Sequence, residues 1–321
     1  MIWSKMIWSS VIPSVAMTAA CLLTATPGFA AEPASCKAVR FADVGWTDIT
    51  ATTAVTSAIL DGLGYKPKTQ VLAVPVTYTS LKNKDIDVFL GNWMPTQAAD
   101  REAYEKDGSI EIIGPNLVGA KYTMAVPTYL YDAGLKTFAD IAKFKTELHG
   151  KVYGIEPGND GNRLILGMIK DNKFGLKDFE LVESSEQGML AQVARAAPKK
   201  EAIVFLGWEP HPMNTRYSIK YLSGGDEVFG ADFGGAQVFT NVRTGWAKEC
   251  PNAGKLVGNL KFTLTTENTV MDYILNENME AEKAAVKWLK ANPDVWAPWL
   301  EGVTTFDGQP GLAAVKAALK L

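Results

Sequence analysis

The chain has 321 residues, 47% of them hydrophobic and 21% charged, with a formal net charge of −3. That length predicts about two domains of ordinary globular composition. A near-neutral balance with no run of Lys and Arg excludes a nucleic-acid surface.

Taken from its start, the chain opens on a targeting pattern. Lys5 is weakly positive, Val11 to Thr26 is apolar and small, and Gly28-Phe29-Ala30 supplies the small residues that a signal peptidase reads. Residues 1–30 are therefore expected to be a secretory signal cleaved after Ala30. Cys21 lies in the apolar run, but Thr18 stands where a lipobox needs a large aliphatic residue, which argues against lipidation. Beyond residue 30 no stretch approaches the ~18 apolar residues of a membrane helix. The mature protein is expected to be exported and soluble. Removing the signal leaves Cys36 and Cys250, an even pair that reads as a disulfide in an oxidising compartment. Two buried free thiols are the alternative.

Ala38–Ala42 reads as a first strand, Gly45–Asp48 as a turn, and Ile49–Leu63 as a helix ended by Gly64. Thr69–Val74 is a second strand, and Leu81–Lys84 belongs to a short helix. The Val88 strand leads to Trp93. Gln97–Lys106 is helical and Ile110–Ile113 is a further strand, so strand and helix alternate as in a parallel sheet. Asn116–Lys121 is an extended, Gly-containing stretch, expected to be the first crossing between two lobes, with Tyr122 opening a strand at Thr123–Val126. Phe138–Lys145 is helical. Val152–Ile155 is a strand running into the turn-rich Glu156–Asn162 loop and a helix to Lys173. Phe179–Val182 is a strand, and Ser184 with Gln187 makes a capping box for a helix to Arg195. Then come a strand from Ile203, a return strand at Ser218–Leu222, a flexible Gly224-Gly225 joint and a last strand at Gln237–Val242. After Pro251 the chain reads as helices at Thr269–Leu275, Ala281–Ala291 and Leu312–Leu319, expected to pack back onto the first lobe. Lobe 1 is thus expected to comprise 31–116 with 217–321, and lobe 2 to comprise 117–216. The Cys36–Cys250 pair would lie inside lobe 1 and leave a hinge free.

Two stretches echo each other. Val88-Phe89-Leu90-Gly91-Asn92-Trp93-Met94-Pro95 and Val204-Phe205-Leu206-Gly207-Trp208-Glu209-Pro210 each run from apolar residues through Gly and Trp to Pro. The apolar run suits a buried strand of a parallel sheet, and Gly and Pro are expected to end it. The Trp then falls past the strand's carboxyl end, where open α/β sheets bind ligands. The echo is too short to demonstrate duplication, but it predicts two lobes that each push an indole into one cleft.

Trp46, Trp93, Tyr122 and Trp208 all fall at turns or strand edges rather than at core spacing inside a helix. Four converging rings make a cage for a quaternary ammonium. Such an ion has no N–H to donate and is held instead by π faces, each worth ~2 kcal/mol at best. The alternative for any one of them is a core or interface ring. Trp246, Trp288, Trp296 and Trp299 read as core of the C-terminal part. Asp48, two residues after Trp46, is either a helix N-cap or a carboxylate that accepts a ligand hydroxyl beside the cation. Asn159 either caps the helix after its loop or reaches the same hydroxyl. Glu209 reads as structural hydrogen bonding. These acceptors select choline over glycine betaine, whose carboxylate needs donors. His211 is the one nearby group that could serve as such a donor, so betaine stays open.

Motifs for a serine nucleophile elbow, a His-Glu-x-x-His zinc site and a Walker-type phosphate loop are absent. With only His149 and His211 and two mature cysteines, neither a metal nor a cofactor is expected. An ester hydrolase of choline esters working through Asp48 is the remote enzymatic alternative.

Several ordered motifs carry a wider resemblance. They are Val44-Gly45-Trp46-Thr47-Asp48, Asp87 through Pro95, Tyr153-Gly154-Ile155-Glu156-Pro157-Gly158, Val182-Glu183-Ser184-Ser185-Glu186 and Gly207-Trp208-Glu209-Pro210-His211. Together they resemble the substrate-binding proteins of quaternary-amine ABC transporters, the glycine betaine-binding family, and most nearly its periplasmic choline-binding members. The resemblance spans essentially the whole mature chain. It implies a two-lobed type II periplasmic-binding fold, with two crossings, a sheet flanked by helices in each lobe, and closure around ligand in the interlobe cleft. It implies that Trp46, Trp93, Tyr122 and Trp208 box the ammonium while Asp48 and Asn159 take the hydroxyl. It further implies a monomer in a Gram-negative periplasm that delivers choline to permease subunits. Acetylcholine or betaines, including proline betaine, would be weaker or alternative ligands.

Overall fold

The computed structural model describes residues 1–6 and 31–321. Apart from its first six positions, the expected signal segment lies outside these residues, as does Cys21. No helix among the described residues is long and apolar enough to cross a membrane.

Nine strands are formed among the described residues: β1 (Ala38–Asp43), β2 (Lys66–Val71), β3 (Val88–Met94), β4 (Ile110–Pro127), β5 (Lys151–Tyr153), β6 (Glu180–Val182), β7 (Phe205–Glu209), β8 (Ile219–Tyr221) and β9 (Gly235–Arg243). They join in one sheet in the order β2-β1-β3-β9-β4-β7-β5-β6, with β8 beside β4. Both ends of that order are parallel, β1 with β2 and β3, and β5 with β6 and β7. The middle is antiparallel, because β9 pairs with β3 and β4, and β4 pairs with β7. Strand–helix alternation therefore predicts the ends correctly. It misses the middle, where the two crossings are themselves strands and no helix is needed to reverse the chain.

β4 is the longest strand, with 18 residues. The three pieces expected at Ile110–Ile113, Asn116–Lys121 and Thr123–Val126 are one continuous element. Its first part pairs with β9, with register shifts between Ile112 and Gly114, Pro115 and Leu117, and Val118 and Ala120. From Lys121 to Ala125 it pairs with β7. The shifts interrupt the ladder and bend the strand, as bulges do.

The main helices are α1 (Thr47–Gly62), α2 (Val74–Lys82), α3 (Ala98–Lys106), α4 (Thr128–Asp132), α5 (Asp160–Lys170) and α6 (Glu186–Lys199). Among the boundaries that differ from expectation, two have a clear physical reason. Val74 starts α2 rather than ending β2, because β2 is a polar edge strand (Lys66-Pro67-Lys68-Thr69-Gln70-Val71), mostly exposed, whose apolar signal is weak. Ser185 rather than Ser184 caps α6, accepting the Gly188 N–H at 3.0 Å.

α1 buries Ile49, Val55, Ile59 and Leu60 and packs against the helices Leu264–Leu275, Ala281–Ala291 and Gly311–Leu319. The C-terminal third thus returns to the β1–β3 end of the sheet. Trp246, Trp288, Trp296 and Trp299 are all buried there, and Trp288 stacks on Trp299 at 6.2 Å. Cys36 and Cys250 form a disulfide across 214 residues of sequence. Beside it, the Glu32 carboxylate accepts the backbone N–H groups of Asn252 and Ala253 and the Tyr65 hydroxyl. It thereby satisfies the first turn of the Pro251–Asn259 helix, whose donors have no partners within the helix.

A cross-link over so long a loop stabilises by about 5 kcal/mol in the chain-entropy model, and measured values run lower. Replacing both cysteines, Cys36→Ser with Cys250→Ser, is expected to lower the urea unfolding free energy by about 3–5 kcal/mol. Ligand affinity should stay within about twofold of wild type, because the bridge lies wholly among elements at the β1–β3 end.

Candidate binding site

The first wall of the site is the turn between β1 and α1. Asp43 shapes it by accepting the Gly45 N–H at 2.7 Å and the Thr50 hydroxyl at 2.7 Å. Gly45 takes φ +79°, a left-handed conformation that glycine adopts without strain. The turn delivers Trp46 as the N-terminal flanking residue of α1, with no side-chain cap. Asp48 lies one residue inside the helix, so it is not the cap and its carboxylate is free for other contacts.

The other walls come from strands. Trp93 is on β3, Tyr122 on β4 and Trp208 on β7. Both indoles sit within their strands, which continue to Met94 and Glu209, rather than past the ends. Gly91 and Gly207 do not end the strands either. A Cβ at Gly91 would stand 2.8 Å from Ile49, and one at Gly207 2.8 Å from Ala125, so both glycines admit a neighbour's side chain. Tyr122 faces Trp208 directly across the β4–β7 ladder, with ring centroids 6.2 Å apart, and lies 6.0 Å from Trp93. Phe229 backs the phenol at 6.1 Å. Gly161 lets the ring in: a Cβ there would stand 2.0 Å from the Tyr122 hydroxyl.

Trp46, Asp48, Trp93, Tyr122 and Trp208 line one small cavity together with Ile155. The four rings are 3–5% exposed and Asp48 1%, so the cavity is shut off from bulk water. Trp46 is pinned from the other end of the sheet, its indole N–H donating to Glu156 Oε1 at 2.8 Å.

The electrostatics are one-sided. Trp93 Nε1 donates to Asp48 Oδ2 at 3.1 Å, while Asp48 Oδ1 is buried with no partner. Burial, then the Glu186 charge, pushes the Asp48 carboxyl up to about 8. Burial likewise pushes Glu156 up to about 7 and Asp160 to about 6. Glu267, on the Leu264–Leu275 helix, is raised well above the ordinary range by burial and then by Asp48. Among the described residues no Lys, Arg or His lines the cavity. A dry, acid-rimmed, ring-walled space with an orphaned carboxylate oxygen is matched to a small cation that also donates one hydrogen bond.

The remaining sequence candidates stand around this space. Asn159 caps α5: its Oδ1 accepts the Asn162 N–H at 2.9 Å and lies 3.5 Å from the Tyr122 hydroxyl, and its amide nitrogen donates to the Glu156 carbonyl. Glu209 pairs with Lys121 at 3.3 Å near the surface. His211 is turned to Glu186, 3.2 Å away, and is not in the cavity wall. Ile155, Phe229, Glu156, Glu186 and Glu267 were not singled out from the sequence. Glu156, Ile155 and Glu186 sit in motifs that carry the family resemblance, and that was their available signal.

Residues 37–291 match the family model described as the substrate binding domain of the ABC-type glycine betaine transport system. A solved ABC-transporter choline-binding protein in complex with choline is 62% identical, covering 90% of this chain and 100% of that one, with a TM-score of 0.88. A second structure, described as an ABC-transporter choline-binding protein in an unliganded semi-closed conformation, is also 62% identical, covering 89% and 100%, with a TM-score of 0.82. The glycine betaine/carnitine transport binding protein GbuC of Listeria monocytogenes is 31% identical over 162 residues, which are 50% of this chain and 53% of that protein.

The raised Asp48 carboxyl sets a pH dependence for closing the empty cavity. A solvated aspartate titrates near ~4, whereas in the shut cavity Asp48 is protonated up to about 8. Between those limits, shutting without ligand takes up a proton. The ligand-free closed population is therefore expected to rise as pH falls from 8 towards 5, and to be smallest above 8. The radius of gyration from small-angle X-ray scattering should shrink over that range, and less so in Asp48→Asn.

Proposed function

The chain belongs to the family of substrate-binding domains of ABC-type glycine betaine transport systems, and from that premise we propose that it captures choline inside the four-ring cavity. It is the binding component of an ABC transporter, in a family of transport proteins rather than enzymes, and its partner class is the transporter's membrane permease.

In this reading Trp46, Trp93, Tyr122 and Trp208 surround the trimethylammonium group and Asp48 Oδ1 accepts the hydroxyl. Asn159 contributes from behind Tyr122. Its amide has two N–H groups, of which one goes to the Glu156 carbonyl, leaving one to donate to the hydroxyl oxygen. Residues 31–116 with 217–321 form one lobe and 117–216 the other, and closure brings Trp46, Asp48 and Trp93 onto Tyr122 and Trp208. Residues 1–30 act as the signal that sends a monomeric protein to a Gram-negative periplasm, where it has no nucleic-acid partner.

The observation that carries this reading is the unpartnered, buried Asp48 oxygen within a ring of π faces. Each face offers up to ~2 kcal/mol to a desolvated cation. After association costs this supports affinity in the micromolar range or tighter, about −8 kcal/mol. The same oxygen, ionised beside a bound ammonium, disfavours a betaine, whose carboxylate would meet it without a donor between them. His211, the donor that kept betaine open, is occupied by Glu186. The alternative of a glycine betaine or proline betaine receptor rests on the relatives. The choline-ester hydrolase reading has no support beyond Asp48 itself.

Calorimetric titration with choline, tetramethylammonium, glycine betaine and acetylcholine is the test. Choline should bind most tightly. Asp48→Ala should weaken choline by about 10- to 100-fold, as expected for a charged hydrogen bond, and tetramethylammonium, which has no hydroxyl, by less. Equal losses for the two would remove Asp48 from the hydroxyl role, and tighter binding of betaine would reverse the ligand assignment. Acetylcholine incubated with the protein should be recovered unhydrolysed; released choline would instead establish an enzyme.

A further inference from the structure

Glu186 is 1% exposed and opens α6, beyond β6 at one end of the sheet. Its carboxylate does not serve its own helix, which Ser185 caps. It reaches instead to Thr47, in the first turn of α1 at the opposite end. Oε2 accepts the Thr47 backbone N–H at 2.8 Å and Oε1 accepts the Thr47 hydroxyl at 2.5 Å. Thr47 stands between Trp46 and Asp48, the two cavity residues of that wall. Behind Glu186, His211 lies 3.2 Å from Oε1. The Met213 N–H donates to His211 Nδ1 at 3.0 Å, which leaves Nε2 to carry the proton and donate to the carboxylate. The His211 ring packs on Trp208 at 5.0 Å. One unbroken run of contacts therefore links the Trp46–Asp48 wall to the Trp208 wall without passing through the cavity.

Resting on the reading that the cavity closes around a quaternary ammonium, we propose that Glu186 is a positioning residue that locks the two walls together in the shut state. It sets affinity for every ligand of the class while leaving the choice among them to Asp48. The contact is suited to that task. The Thr47 N–H is one of the free donors at the start of α1, and the positive end of that 16-residue helix attracts a carboxylate. Charge-assisted bonds of this kind, sealed from water on both sides, are strong only while the seal holds. When the walls part, Thr47 and Glu186 both return to water and the gain is lost. Two other links cross the cleft: Trp46 to Glu156, which fixes one ring only, and Arg163 to Asp100 at 2.7 Å, whose arginine side chain is 40% exposed, so that it falls with screened surface pairs.

The test uses the whole mature protein with Glu186→Gln and, separately, Thr47→Val, which removes only the hydroxyl. Affinity and dissociation rate are measured for choline and tetramethylammonium, and ligand-free unfolding is followed in urea. Glu186→Gln should weaken both ligands together by about 10- to 100-fold, mostly through faster dissociation. The choline-to-tetramethylammonium ratio should stay within about twofold of wild type and the ligand-free unfolding midpoint should be unchanged. Thr47→Val should show a smaller parallel loss and keeps the test alive if Glu186→Gln does not fold. Affinities within about twofold of wild type would overturn the proposal, as would a fall of the ligand-free midpoint alongside affinity, which marks a merely structural contact. Wild-type protein that binds neither ligand would instead remove the reading on which the proposal rests.

Discussion

Removing an aspartate from water while one of its oxygens has no donor is a penalty that the shut cavity carries until a cation enters. Asp48 is held from one side by the Trp93 indole and feels Glu186 and Glu267 from two others, so its surroundings oppose its charge. A methylated ammonium reverses that balance. It neutralises the field, fills an apolar space and, having no N–H, asks for no hydrogen-bond acceptors around its methyl groups, which ring faces would supply poorly. The same arrangement opposes shutting without the ligand, because the carboxyl must then either stay uncompensated or take a proton.

The rings can meet only because the sheet brings distant stretches together. Trp46 comes from a turn after β1, Trp93 from β3, Tyr122 from β4 and Trp208 from β7, and the interval from Trp46 to Trp208 spans most of the order of the sheet. Their placement depends on small residues beside them. Gly161 leaves room for the Tyr122 phenol, and Gly91 and Gly207 admit Ile49 and Ala125. The polar residues that hold the rings also lie far away in sequence, such as Glu156 for Trp46.

Much of this was legible in the sequence where the signal is local. Apolar runs located β1, β3, β7 and β9, helical periodicity located α1 and the Ala281–Ala291 helix, and parity of cysteines located the disulfide. The two Trp-Pro echoes marked the strands that carry indoles into the cavity, although Gly91 and Gly207 turned out to sit within those strands for packing. What escaped has a common physical character. A carboxylate's partner has no periodicity, so nothing local distinguished Glu186, bonded to Thr47 139 positions away, from the solvated glutamates around it. Asp48 looked like a cap because caps are usually Asp, Ser, Thr or Asn; here Trp46 holds that position and the helix donor goes to Glu186. β4 looked like three pieces because register shifts interrupt its alternation.

The continuity of β4 shapes how the molecule can flex. The passage between its two halves is no slack tether but a kinked ribbon, bonded to β9 as far as Lys121 and to β7 from there on, and softened where its ladder with β9 slips. Tyr122 follows immediately after those slips. Trp208, its partner across the ladder, is bound to stay with it, so these two rings are the anvil of the trap and Trp46 and Trp93 the hammer.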